Sequence, residues 1–418
     1  AAIVPQFKYF LFVFALIAGT LSLRAFEYNQ PPIFPLQQFR QQGRPLTVSL
    51  TILLLIALIR SPGGSRRKYL IGGAVWFFVF ELLTACRLMV GGDFARGGPE
   101  IPVFSLLFLT LALALARSIQ TWDDCLGLIK TLAATGICFA FLNVCQFLAH
   151  PGDVTRGSRF EGTTSNAQHA ACYCAMLMLP VLYLLIRPGR SKFGRIAMVI
   201  GFTVLLVMEL WTGSRTGLLM TITGVGLLFR ARLGRLAGAG IVVAFLVILV
   251  VNVTANVWGS HVISAHLIST LDTRSGVWRN LLNSFAANPV FGELSHGELG
   301  VGENSYLSAA ARFGVLGLIP LGISMLLVVM ALVRLQRVSK NLPDKMLADL
   351  VIAAMAQIYV GAMFEGYLLG TLAMEQYMIY TYLAIIAFLL EYAEAPKLEE
   401  ETIEHYLPES AELLPGGI

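Results

Sequence analysis

Arginines in three separated segments carry the most distinctive chemistry of this sequence. Arg156 and Arg159 precede Ala167, Arg215 sits in Ser214-Arg215-Thr216-Gly217, and Arg274 and Arg279 occupy the longest hydrophilic stretch. A guanidinium beside hydrocarbon is costly, and its planar fork of donors matches the oxygens of a phosphate. Cations gathered at one face of a membrane therefore ask for an anionic partner. A lipid-linked phosphate or pyrophosphate is the simplest.

Each segment has an ordinary reading beside the chemical one. Ser214 is a candidate helix cap, which would aim free backbone N–H groups and Arg215 at one anion; an interfacial arginine that snorkels to headgroups has the same pattern. Arg274 and Trp278 are four apart, on one face of a helical turn. A cation with an aromatic neighbour can hold a sugar or phosphate, and a surface helix anchored by tryptophan reads the same way. Glu303 precedes Asn304 and Ser305, which can cap a helix returning into apolar sequence. There Glu303 can take the proton of an attacking sugar hydroxyl, or simply complement a helix N-terminus. His296 is a second candidate base, or an exposed loop histidine. Arg159-Phe160-Glu161 leads into a helix with Gln168 and His169, polar groups that must face a protein interior or cavity. Glu81, Glu209, Glu365 and Glu375 are acids within or bordering apolar runs, and Glu365 and Glu375 flank the last outer turn. They join the site or pair structurally. Arg87 lies too far along from Glu81 for helical pairing.

The elements that must position these residues follow from composition. Of 418 residues, 56% are hydrophobic and 13% charged, which excludes a soluble protein of this size. The expected fold class is an all-α polytopic membrane protein. Apolar runs of about 20 residues or slightly fewer lie near 7–23, 45–59, 69–90, 102–117, 127–149, 167–186, 196–213, 215–230, 236–257, 311–333, 349–366 and 371–391, giving about twelve spans. Phe7–Leu23 reads as the first span rather than a cleaved leader. Basic clusters at Arg60–Lys68, Arg187–Arg195, Arg230–Arg235 and Arg334–Lys345 fall on one side when the N-terminus is cytoplasmic. Both termini are then cytoplasmic, residues 1–390 form one transmembrane domain, and 391–418 is an acidic tail. The arginine segments face the opposite side, with a long loop at about 258–310 between helices 9 and 10 on that side. The net charge of +5 serves topology, not nucleic acid. The six cysteines read as small core residues. No P-loop or metal-ligand spacing is present, and Asp123-Asp124 reads as a solvated pair on the cytoplasmic side.

In order, R-F-E-G-T-x-x-N, G-S-R-T-G, R-x-x-x-W, N-P-x-F-G and a polar pair with Y-L then G-x-x-G-L resemble the O-antigen ligase and polymerase superfamily of bacterial cell-envelope enzymes over about residues 155–320. The resemblance implies a GT-C-like helical fold in the inner membrane. It implies a glycosyltransferase that works at the periplasmic face, takes a glycan from undecaprenyl pyrophosphate, and uses no metal or other cofactor. Arg215 and Arg274 would then bind the pyrophosphate and Glu303 act as base. Arg159, Arg279, Trp278, Asn304, Tyr306 and His296 would bind substrate. Ligases of the family usually carry His-Asn where this chain has Glu303-Asn304. That departure favours a polymerase of O-antigen or exopolysaccharide repeat units over a ligase to lipid A-core. A glycan or lipid A-core acceptor, membrane lipid and a chain-length regulator are the implied partners. A lipid-linked oligosaccharide transporter is the third reading, disfavoured because the informative charges sit at one face and no internal repeat is evident.

Overall fold

The computed structural model describes residues 3–21, 33–61, 72–156, 159–164, 166–188, 191–230, 275–293, 303–370 and 372–395. Twelve helices carry the fold among them: α1 (Ile3–Leu21), α2 (Leu36–Arg60), α3 (Gly72–Val90), α4 (Phe94–Leu107), α5 (Trp122–Ala149), α6 (Ala167–Ile186), α7 (Lys192–Thr212), α8 (Arg215–Leu228), α9 (Ser275–Ala287), α10 (Ser305–Val338), α11 (Lys345–Ala362) and α12 (Met374–Glu394). A π-helical segment, Phe108–Leu115, extends α4. The only strands among the described residues are β1 (Thr155–Arg156) and β2 (Arg159–Phe160), a two-residue antiparallel pair.

Nine of the described helical segments are long and apolar enough to cross a bilayer, and Gln6–Leu21 and Arg215–Leu228 are shorter apolar helices. That is compatible with a multi-pass membrane protein. The predicted span at 236–257 lies outside the described residues. α12 and α6 form the centre, with 89% and 83% of their apolar windows buried, whereas only 22% is buried in α2 and α7. Lipid tails are as apolar as leucine, so close packing rather than water exclusion holds such helices together.

Several predicted helices start earlier than hydropathy alone placed them, α10 and α2 for identifiable reasons. α10 begins at Ser305 rather than near 311, because Asn304 caps it through the N–H groups of Tyr306 and Leu307 at 2.9 and 3.0 Å. α2 begins at Leu36 rather than 45; it breaks at Gly43 (φ 47°) and resumes with Pro45 in its new first turn, where a missing N–H costs little.

Polar ties sort the helix ends into two opposite faces. At one, Tyr183 near the end of α6 donates to Asp344 at 2.7 Å, Arg230 beyond α8 pairs with Asp349 at 2.6 Å, Arg334 of α10 pairs with Glu394 at 2.6 Å, and Lys8 pairs with Asp124 at 3.5 Å. Asp124 is no free loop acid: with Thr121 it forms the capping box that starts α5. At the other face, Asn143 of α5 accepts from the Thr163 N–H at 2.8 Å, and Arg40 of α2 donates to the Thr163 carbonyl at 2.9 Å. We call the second the site face and the first the far face.

α10 is broken at Gly314 (φ 60°, ψ −156°). The break opens backbone groups that pair with the segment after α9: Val315 N–H donates to Pro289 O at 2.8 Å and Glu293 N–H to Ala311 O at 2.7 Å. Gly292 (φ 70°) faces the Arg312 carbonyl from the other side. A Cβ on Gly314 would lie 2.3 Å from the Val290 oxygen. The two glycines of N-P-x-F-G and G-x-x-G-L thus join one motif to the other. Arg87, whose partner the sequence did not reveal, donates to the Phe291 carbonyl at 3.1 Å and seals the same junction. Gly314→Ala is expected to destabilise the protein by about 1–3 kcal/mol through backbone strain alone, with the steric clash in addition. A thermal melt unchanged from wild type would show that α10 can straighten without loss.

Inside the bundle, Tyr380 of α12 donates to Glu81 of α3 at 2.6 Å, both fully buried. Phe77 and Phe108 stand edge-on to the tyrosine ring at 5.6 and 6.2 Å. Glu81 is therefore tied to α12 inside the bundle. Tyr380→Phe leaves the carboxyl without its donor and is expected to cost about 1–3 kcal/mol. An equal melting temperature for the variant would remove the pair from the account of the core.

Candidate functional site

Four of the helices that begin at the site face carry or adjoin residues singled out in the sequence. Asn166 caps α6, accepting from Gln168 and His169 N–H at 2.8 and 3.2 Å. Ser214 caps α8 through the Gly217 N–H at 3.3 Å, Asn304 caps α10, and α12 starts after Ala373. Helix N-termini carry partial positive charge. Their convergence gives this face an electrostatic bias towards anions before any arginine is counted.

α7 ends and α8 begins through a sharp turn. Gly213 adopts the left-handed conformation (φ 61°), and the Ser214 N–H donates to Thr212 Oγ1 at 3.1 Å. Gly217 lets α8 press against α6: a Cβ there would lie 2.6 Å from Ala171 Cβ. With Thr216 and Gly217 buried, Arg215 is left on the exposed side of the helix start. Each residue of Ser-Arg-Thr-Gly thus has a distinct reason: cap, exposed cation, buried hydroxyl, close contact.

Arg159 reaches the same turn from the loop before α6. Its Nε donates to the Thr212 carbonyl at 2.7 Å. Burial lowers its pKa from the ordinary guanidinium value, opposed by the charges of Glu161 and Glu365. The guanidinium is thus tied to the last residue of α7, two positions before Ser214.

Glu365, in the turn between α11 and α12, joins two motifs. Its buried carboxylate accepts from Thr216 Oγ1 at 3.2 Å, and its carbonyl accepts from Ser305 Oγ at 2.6 Å. The neighbours of Arg215 and of Glu303-Asn304 are therefore attached to one residue. Ser305 Oγ in turn accepts from the Leu368 N–H at 3.2 Å. Glu375, fully buried at the start of α12, lies 3.7 Å from His169 Nδ1 on α6. Phe364 carries α9, its ring 6.2 Å from Trp278.

The turn from Phe364 to Glu375 is thus the hub around which four separated motifs assemble. Arg215, the Glu303–Tyr306 run and Trp278 reach it directly or through an adjacent residue, and Arg159 feels the charge of Glu365. Glu303 is half-buried ahead of the α10 cap, and Arg279 is exposed on α9. Arg274 and His296 lie outside the described residues. Asn304 and Tyr306 have structural bonds of their own: Asn304 Oδ1 caps α10, and Tyr306 Oη donates to the Tyr359 carbonyl at 3.0 Å. Sequence reasoning singled out Glu365 only as an acid beside the last outer turn; its position between two motif-bearing helix starts is a tertiary fact. Glu209 accepts from Thr221 at 2.8 Å and ties α7 to α8.

Among the described residues no three His, Cys, Asp or Glu side chains gather as a metal site, and the six cysteines are free thiols. The chain matches no family model and no curated protein.

Proposed function

We propose that the protein is a membrane glycosyltransferase that polymerises undecaprenyl-pyrophosphate-linked repeat units at the outer face of a bacterial inner membrane. The observation that carries this is the meeting of helix N-termini with Arg159, Arg215 and a half-buried Glu303 around one turn. A pyrophosphate is a good leaving group but gathers charge as it departs. Fixed guanidinium groups and helix N-termini meet that demand. In the proposed step, the acceptor hydroxyl oxygen bonds to the anomeric carbon as the bond from that carbon to the phosphate oxygen breaks. Its proton goes to Glu303, and undecaprenyl pyrophosphate leaves on the opposite side, with inversion.

Twelve spans and a GT-C-like architecture belong to the same reading. Arg230 is tied to the far face through Asp349, and Trp278 to the site face through Phe364. The span expected at 236–257, which lies outside the described residues, belongs to the same reading. The site face is then periplasmic, because the far face holds Arg187, Arg230 and Arg334.

The test is purified full chain with an undecaprenyl-pyrophosphate-linked repeat unit, with products sized by gel. A ladder of longer lipid-linked glycans is expected. Transfer only after lipid A-core is added would make the protein a ligase instead. No glycosidic bond under either condition would remove the enzyme reading.

A further inference from the structure

On the far side of the molecule from this site, α1 and α5 enclose an open groove of about 900 Å³. Gly127 shapes its floor, with Tyr9 Oη 2.9 Å from where a Cβ would stand. The walls are apolar: Phe7 and Phe10, 52% and 60% exposed, with Val13 and Ala134. Four polar side chains line it, Gln6, Tyr9, Lys130 and Thr131; the Tyr9 hydroxyl donates to Asp124 at 3.3 Å and that of Thr131 to the Gly127 carbonyl at 2.8 Å.

Lys130 is the unusual member. It follows the α5 capping box at Asp124 by six residues, about 9 Å along the helix axis. It is exposed, so in a bilayer it faces lipid from within the apolar part of a span. The acid of the capping box is already engaged: Asp124 takes Lys8 at 3.5 Å, Tyr9 Oη at 3.3 Å and the Thr121 hydroxyl at 2.9 Å; Asp123, exposed in the first turn of α5, does not line the groove. Lys8 and Asp124 neutralise each other, and no ion pair to Lys130 occurs among the described residues. One positive charge therefore remains over an apolar groove at the lipid boundary.

We propose that this groove binds an anionic glycerophospholipid of the far-face leaflet. The phosphate sits on the Lys130 ammonium and the Gln6 amide, and one acyl chain runs between Phe10, Val13 and Ala134. Lysine can reach headgroup level from such a depth on its flexible stem. The basic residues of this face place it against the leaflet where anionic lipids gather. The chemistry selects charge over headgroup detail, because Lys130 is a single point donor.

The experiment is native mass spectrometry of the full chain released from bilayers of phosphatidylglycerol or of phosphatidylcholine. Wild type is expected to retain one phosphatidylglycerol, in preference to phosphatidylcholine. Lys130→Gln is expected to weaken that retention about fivefold, and Ala134→Phe, which fills the groove, to lose both lipids. Phosphatidylglycerol retained equally by Lys130→Gln would overturn the proposal. So would a disulfide-linked dimer formed through Ala134→Cys in the bilayer, since a second copy would then cover the groove. Both substitutions sit on an exposed or half-exposed face, and thermal melts of each variant verify that the fold persists.

Discussion

With Arg215 replaced by alanine, glycan transfer is expected to fall about 100- to 1,000-fold, the range seen when one preorganised charge-stabilising donor is removed. The protein should still insert and keep its melting transition. The start of α8 is held by groups other than this side chain: the Ser214 cap, the Thr216 bond to Glu365, and Gly217 against Ala171. Loss of activity therefore reports on the cation and not on the turn that presents it. Arg215→Lys is the sharper comparison, because it keeps the charge and removes the planar fork. If the arginine clamps two phosphate oxygens, lysine recovers only a fraction of the lost rate. Alanine activity indistinguishable from wild type would remove Arg215 from the mechanism.

Arg159 illustrates why the result should differ between the two described arginines. It is half-buried and bonded through Nε to the end of α7. Its removal would disturb the Gly213 turn as well as the charge at the site. The structural and electrostatic parts of its role are coupled, whereas Arg215 is exposed and the cap of its helix is supplied by Ser214.

How much of this arrangement the sequence discloses depends on the range of the interaction. Caps are local, so Ser214 and Asn304 are readable from their neighbours, and both cap the helices expected of them. Hydropathy finds the helices but not their first turns. Asn304 starts α10 while the following residues are still polar or small, and Gly314 then breaks it, so an averaged window begins too late. The partner of Arg87 is a backbone carbonyl 204 residues away, which no periodicity encodes. Glu365 is the same kind of case. As a residue it is one of several acids near an apolar run; its place between Thr216 and Ser305 arises only when α8, α10 and α11 pack. The glycines of the two short motifs have no role legible in their immediate neighbours. Gly292 and Gly314 let two backbones meet.

Glu303→Gln is expected to lower kcat about 100- to 10,000-fold, with KM for the lipid-linked donor little changed, as befits loss of a general base. The amide keeps the size and much of the hydrogen bonding of the carboxylate but does not accept a proton at neutral pH. Glu303 stands half-buried immediately before the α10 cap, which the Asn304 side chain supplies. The substitution should therefore leave α10 in place. Glu365→Gln provides the contrast. That carboxylate is buried and bonded to Thr216, so its change acts on how α8 meets the turn before α12. A scaffold defect of that kind should lower the melting temperature and raise KM together, whereas loss of the base should do neither. Near-normal turnover in Glu303→Gln would move the proton acceptor elsewhere, with His296 the next residue to replace. A fall in stability without a selective loss of kcat would make Glu303 a helix-start acid and nothing more.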